Sequence, residues 1–318
     1  MANPLGPAKS FVLALGATVV LYLSGLSVPL VGILLIPLVP HPSLAFGVKY
    51  GKRGAMWLLF SAGVLFLFMA GSEVALGYLL FALMVVLLLN SFGREWSIEA
   101  VVVGTAAGTL ATVSVVLLSL FGSLSDLRVR VSHNLKESLE TTLVFYEKAG
   151  FSAETIELAR ESSSQVVEVI VQIMPALAFI GFVAVILINM MILFYRFPEY
   201  RKFFFHLSNL KEWRSPEPLI WCFILSGFSL FLPAPWGLRT LALNLLIMSA
   251  LFYFFQGLAI VAYFFHIKKV PVVLRSIGYV LIAVEQLVTL FVVGLGLFDL
   301  WGDFRRLNKK DLNTDQAT

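Results

Sequence analysis

Nine apolar stretches, most of them near the length a bilayer demands, divide this chain, and almost every charge falls between them. They cover residues 11–26, 28–48, 55–70, 74–90, 98–121, 166–195, 218–232, 238–265 and 272–300. A helix rises about 1.5 Å per residue, so a hydrocarbon core of about 30 Å takes roughly 20 apolar residues. The pattern predicts an all-α, polytopic transmembrane helical bundle of eight or nine spans. The second stretch carries Pro29, Pro37, Pro40 and Pro42. Proline lacks an N–H donor and drives the residue before it away from helix. A short helix followed by irregular or re-entrant backbone is expected there. Such backbone is tolerated at membrane depth only under protein or beside a polar cavity.

Residues 122–165 are the one long polar interruption. Leu127, Val131, Leu135 and Leu139 recur every four residues, which lays one apolar stripe on a helix. Gly150 is a helix stop, and Ser152 with Glu154 just after it is a restart. The segment reads as an extracytoplasmic helical hairpin whose second helix continues into the next span. The chain then divides into N-terminal transmembrane helices (1–121), the hairpin (122–165), C-terminal transmembrane helices (166–300) and a polar tail (301–318).

Composition agrees with this division. Hydrophobic residues make up 59% of the 318, and charged residues only 13%, too few to cover a soluble globule of this size. The net charge of +4 sits in short runs between spans, as the positive-inside bias requires, and does not form a nucleic-acid patch. The expected partner is the lipid bilayer, with protein partners through the hairpin or the tail and no nucleic acid. Placing 49–53 in the cytoplasm and alternating puts 196–214 and 268–269 there too, and the hairpin, with five basic and seven acidic residues, outside. The tail, with Arg305, Arg306, Lys309 and Lys310, then lands outside, against the bias, so either the second segment does not cross, or one C-terminal segment is re-entrant, or the tail is an exception. Lys9 ahead of the first stretch resembles a signal-peptide start, but no cleavage site precedes a hydrophilic domain. An uncleaved first helix is expected. Trp57, Trp96, Trp213, Trp221, Trp236 and Trp301 fall near span ends, where interfacial aromatics belong.

Enzyme chemistry is not indicated. There is no phosphate-binding glycine loop, dinucleotide fingerprint, HExxH or GxSxG. The single cysteine, Cys222, excludes an intramolecular disulfide, and His41, His133, His206 and His266 are too scattered to gather a metal. No cofactor is expected. What remains is polarity inside the spans. Glu285 is the most central ionisable residue, with Gln286 beside it; a carboxylate at that depth costs about 2.5–3.5 kcal/mol on insertion scales. Glu285, Gln286, Gln256 and Asn189 are therefore the candidate ligand-binding residues, with Asn244 and Gln172 as further amides that tie helices together. Asp299 and Asp303 share a helix face, and Arg305 and Arg306 follow. These four form either an interfacial anchor or a patch for a protein partner.

Several motifs, in this order, resemble the YybS-like family of bacterial membrane proteins. They are Val28-Pro-Leu-Val-Gly32, Pro37-Leu-Val-Pro40-His-Pro42, Gly47-Val-Lys-Tyr-Gly51, Phe255-Gln-Gly257-Leu-Ala and Gly296-Leu-Phe-Asp299 with Asp303-Phe-Arg305. The early proline-glycine pattern is also similar to the substrate-binding S-components of energy-coupling-factor vitamin transporters. The resemblance implies a multi-pass protein of the bacterial cytoplasmic membrane, and it carries no catalytic residue over. Two functions stand open: small-molecule binding or transport of S-component-like type, or an assembly, scaffold or regulatory role through protein partners.

Overall fold

A computed structural model describes residues 6–92, 94, 96–203 and 211–305. Arg306, one of the four residues of the C-terminal patch, lies outside them. Every regular element among the described residues is a helix. The chain packs as two compact units, each assembled from two pieces of sequence: Met1–Leu127 with Gly181–Leu207, and Arg128–Ile180 with Ser208–Thr318.

The first unit opens with α1 (Pro7–Ser27), α2 (Pro29–Leu35), a 3-10 turn (Ile36–Leu38) and α3 (Pro40–Tyr50). The proline-rich stretch is thus less irregular than its composition suggests. Pro29 and Pro40 each begin a helix and Pro42 lies in the first turn of α3, where a missing N–H costs no helical bond. The break shrinks to the single 3-10 turn around Pro37, and residues 31–50 are together long and apolar enough to cross a membrane. Next come α4 (Lys52–Ala70), α5 (Ser72–Ser91) and α6 (Ile98–Phe121). Gly51 and Gly71 make the tight turns on either side of α4, at φ 95° and 91°, values that other residues rarely reach. At the centre, Tyr22, Phe66 and Tyr78 stack edge to face or tilted, with centroids 4.8–5.8 Å apart.

Then α7 (Leu124–Lys148) and α8 (Ala153–Arg196) make the hairpin. Its turn falls at Gly150, φ 90°, and Ser152 Oγ accepts from the Thr155 N–H at 3.3 Å. At 44 residues α8 is about 66 Å long, twice what a bilayer needs, so one helix serves as both hairpin arm and span. The second unit also holds α9 (Leu219–Ser229), α10 (Trp236–Ile267), α11 (Val272–Val284) and α12 (Gln286–Gly302). Two apolar stretches do not form the straight spans their hydropathy predicts. The 218–232 stretch yields only the 11 residues of α9, about 16 Å, too short to cross. The last stretch bends by 100° at Glu285, between α11 and α12. Among the described residues seven helices can cross a membrane, or eight with that bent pair counted once.

Candidate functional site

In the second unit the sequence-predicted residues Gln256, Asp299, Asp303 and Arg305 come together. The Asp299 carboxylate accepts from Arg305 Nη2 at 2.7 Å, from Gln256 Nε2 at 3.2 Å and from the Phe304 N–H at 2.9 Å. Gln256 Oε1 accepts from both the N–H and the hydroxyl of Ser215, at 3.1 and 2.6 Å. Arg305 Nη1 reaches the carbonyls of Lys211 and Trp213 at 2.8 and 2.9 Å, and Arg214 pairs with Asp303. The charged side chains of Asp299 and Arg305 are both 0% exposed. Burying two charges costs several kcal/mol per ion and is sustained only when every lone pair and proton finds a partner. Here most do. The cluster also supplies partners to the irregular backbone of residues 211–215, which has no helix to satisfy it. Its chemistry is that of a fastening: apart from Arg305 Nε, which is buried with no acceptor among the described residues, the polar groups of Gln256, Asp299 and Arg305 are spent on one another and on the chain.

This fastening bears on the three ways in which the charge of the tail can be reconciled with the bias. Asp303 and Arg305 lie beside Arg214, Lys211 and Trp213, and the Tyr263 hydroxyl donates to the Arg305 carbonyl at 3.2 Å. The end of α12 thus lies against residues 211–215 and Tyr263, the contact that a re-entrant last pair would make. The start of the tail is beside Lys211 and Arg214 of the basic 196–214 loop. That contact is possible because α12 and α10 touch backbone to backbone. A Cβ on Gly296 would meet the Tyr253 carbonyl, and one on Gly257 the Val292 carbonyl. Small residues permit this approach between membrane helices.

Glu285 and Gln286 are placed elsewhere, at the bend, exposed on the outside of the unit. The bend is held locally: Thr289 Oγ1 donates to the Ile282 carbonyl at 2.5 Å and the Glu285 N–H to Leu281 at 2.9 Å.

Also in this unit, Arg128 and Glu168 pair at 2.5 Å across the base of the hairpin, with Arg128 over the Trp236 ring at 4.1 Å. Nearer the tip, the Arg160 guanidinium binds Glu140 at 2.7 Å and holds its carboxyl below the usual range.

Asn189 belongs to the first unit and meets the other sequence-predicted feature there, the interrupted second segment. Its Nδ2 donates to the Pro37 carbonyl in the 3-10 turn and to Val185, both at 2.7 Å. Its Oδ1 is buried with no donor among the described residues. One turn on from Pro37, both ring nitrogens of His41 are buried and unpartnered, and Arg196 acts on the ring electrostatically. Ser43, 0% exposed, and Tyr78, 1% exposed, are neighbours whose hydroxyls act on one another without completing a hydrogen bond of ordinary geometry. His41 and Ser43, two apart on α3, point to opposite flanks. The α3 segment thus carries unmet hydrogen-bonding capacity on both sides. Sequence reading passed over His41, Ser43 and Tyr78, because a lone histidine, serine or tyrosine in an apolar run has no spacing signature.

Neither a metal-ligating group of three nor a nucleophile with a base emerges among the described residues. No curated protein and no solved structure matches the chain. A family profile described as predicted membrane protein (DUF2232) matches residues 16–300, from within α1 to within α12, taking in both units and the hairpin. The chain therefore belongs to the DUF2232 family of predicted membrane proteins, and it is a multi-pass membrane protein.

Proposed function

We propose that this chain binds a small polar molecule in the membrane, in the manner of a transporter S-component, at the interrupted α2–α3 segment and not at Glu285. The supporting observation is the set of buried, unpartnered polar atoms on and against that segment: Asn189 Oδ1, the His41 ring nitrogens and the Ser43 and Tyr78 hydroxyls. Each unmet buried group costs about 1–3 kcal/mol, so those on either flank of the segment call for a ligand or ordered water that meets them. None of the five atoms carries a formal charge in its ordinary neutral state, which suits an uncharged ligand with both donors and acceptors. The sequence resemblance to YybS-like proteins and S-components is in keeping with this reading and with a bacterial cytoplasmic membrane. The test is thermal unfolding of the purified protein against a panel of uncharged compounds: riboflavin, pyridoxine and nicotinamide. One compound should raise the midpoint in the native chain and fail to do so in Ser43→Ala with Asn189→Leu. No shift with any compound counts against the reading.

A second reading, action through a protein partner, draws on the hairpin. Its arms run from the Arg128–Glu168 level to the Gly150 turn, about 24 Å beyond the Trp236 end of α10. Phe145, Tyr146 and Phe151 stand exposed at the tip, with centroids 5.0–6.1 Å apart. Loss of function on replacing Gly122–Gln165 by a short turn, with folding and binding intact, favours this reading.

A further inference from the structure

We infer that the small molecule proposed above is recognised through a planar amide edge, an N–H beside a C=O on a flat ring, read by Asn189 and His41. The inference rests on the binding reading of the α2–α3 segment and names the class of molecule and the two residues that select it.

Two ties line that segment up with the end of α8, all within the first unit. Asn189 donates to the Pro37 carbonyl at 2.7 Å, and the Tyr200 hydroxyl donates to the Val48 carbonyl at 2.9 Å. Eleven residues separate Asn189 from Tyr200, and eleven separate Pro37 from Val48, so the chain runs in the same direction on both sides of the seam. His41 lies between the ties on one side, and the fully buried Leu193 lies between them on the other.

Asn189 is the stringent reader. Its Nδ2 already serves two carbonyls, those of Pro37 and Val185, both at 2.7 Å. A flipped amide would set its oxygen against those two oxygens, so the geometry fixes Oδ1 as the atom left without a donor. An amide oxygen accepts and never donates. It asks for an N–H or O–H and rejects a group that can only accept.

His41 adds two buried ring nitrogens without partners among the described residues. A neutral imidazole carries one N–H and one acceptor. Together the two residues offer acceptor and donor side by side, and the complement of that set is an N–H next to a C=O. The hydroxyls of Ser43 and Tyr78 either donate or accept by turning about one bond, so they suit almost any polar group and select little. The nearby Arg196 guanidinium acts on the His41 ring and disfavours a cationic ligand beside it. Packed helices run about 8–10 Å apart, so a thin ring suits the seam better than a branched chain.

The test is thermal unfolding of the full purified chain with matched probes. Nicotinamide and uracil carry the edge. N,N-dimethylnicotinamide and N,N′-dimethyluracil keep the C=O and lose every N–H, and nicotinate is an anion. Nicotinamide or uracil should raise the midpoint, and its methylated counterpart should bind at least about tenfold more weakly, because Asn189 Oδ1 is then left unmet. His41→Phe should abolish the shift without lowering the midpoint of the free protein, since the ring nitrogens have no hydrogen bond to lose among the described residues. His41→Gln, which restores a donor and an acceptor, should recover part of the shift. His41→Leu repeats the measurement should His41→Phe fail to fold. An equal shift with the methylated probes, a larger one with nicotinate, or a shift untouched by His41→Phe overturns the inference. So does the absence of any shift with nicotinamide and uracil. If pyridoxine then stabilises the native chain, binding stands and the amide edge alone is refuted; if it does not, both fall.

Discussion

Asn244 bridges a helical hydrogen bond that it does not belong to. Its Oδ1 accepts from the Ala176 N–H and its Nδ2 donates to the Gln172 carbonyl, each at 2.7 Å. Those two backbone groups are the i and i−4 partners of a turn in α8, next to Pro175, where the proline ring crowds the helix and opens it. A side chain of α10 thus repairs α8. Replacing Asn244 by leucine leaves a buried donor and acceptor unmet. The loss in unfolding free energy should be about 1–3 kcal/mol, measured by denaturant unfolding in detergent. Asn244→Leu with native stability contradicts the bridge.

The Asp299–Arg305 pair should behave as a buried ion pair whose halves cannot be separated. Asp299→Ala strands a guanidinium that has no route to water and should cost about 3–5 kcal/mol. Asp299→Asn keeps an acceptor for the Phe304 N–H alone and turns an amide NH2 toward the Gln256 and Arg305 donors, so it should cost nearly as much. If both variants unfold like the native chain, the fastening is incidental.

Close contact between α10 and α12 gives a sharper contrast. Gly296→Ala drives a Cβ into the Tyr253 carbonyl, a rigid neighbour, and should destabilise by about 1–3 kcal/mol or more. Gly294→Ala, two residues away, meets nothing within 4 Å and should be neutral or mildly stabilising, since alanine favours helix over glycine by about 1 kcal/mol. Equal effects at the two positions contradict the crossing.

A re-entrant reading of the bent pair predicts the side of the C-terminus. A thiol placed at Lys309 and one at Glu212 should react with a membrane-impermeant maleimide from the same face, which the basic loops identify as cytoplasmic. Labelling from opposite faces would mean that residues 272–300 cross the bilayer once.

Much of this architecture is legible from residue pattern alone, because helix in lipid is a local decision. Gly150 and Ser152 mark the hairpin turn through their own φ angle and side-chain oxygen. The uninterrupted run into α8 follows from the same local logic. What is not legible depends on contacts far apart in the chain. Gln256 and Asp299 read as two separate features, a lone amide and a tail patch, until helix packing joins them across 43 residues. The 272–300 run reads as one span because hydropathy counts apolar atoms and is blind to a bend at a single Glu285. His41 looks isolated because the helix it faces is Asn189's, 148 residues on, and no pattern on α3 announces that. Ser43 and Tyr78 are invisible for the same reason.

Occupation of the α2–α3 segment by a small polar molecule remains the claim that matters for function. Native mass spectrometry of the gently extracted protein addresses it without presupposing the ligand. The native chain should carry one non-lipid adduct of small-molecule mass per copy, absent from Ser43→Ala with Asn189→Leu. A bare chain mass in both proteins, with both folded, would contradict it.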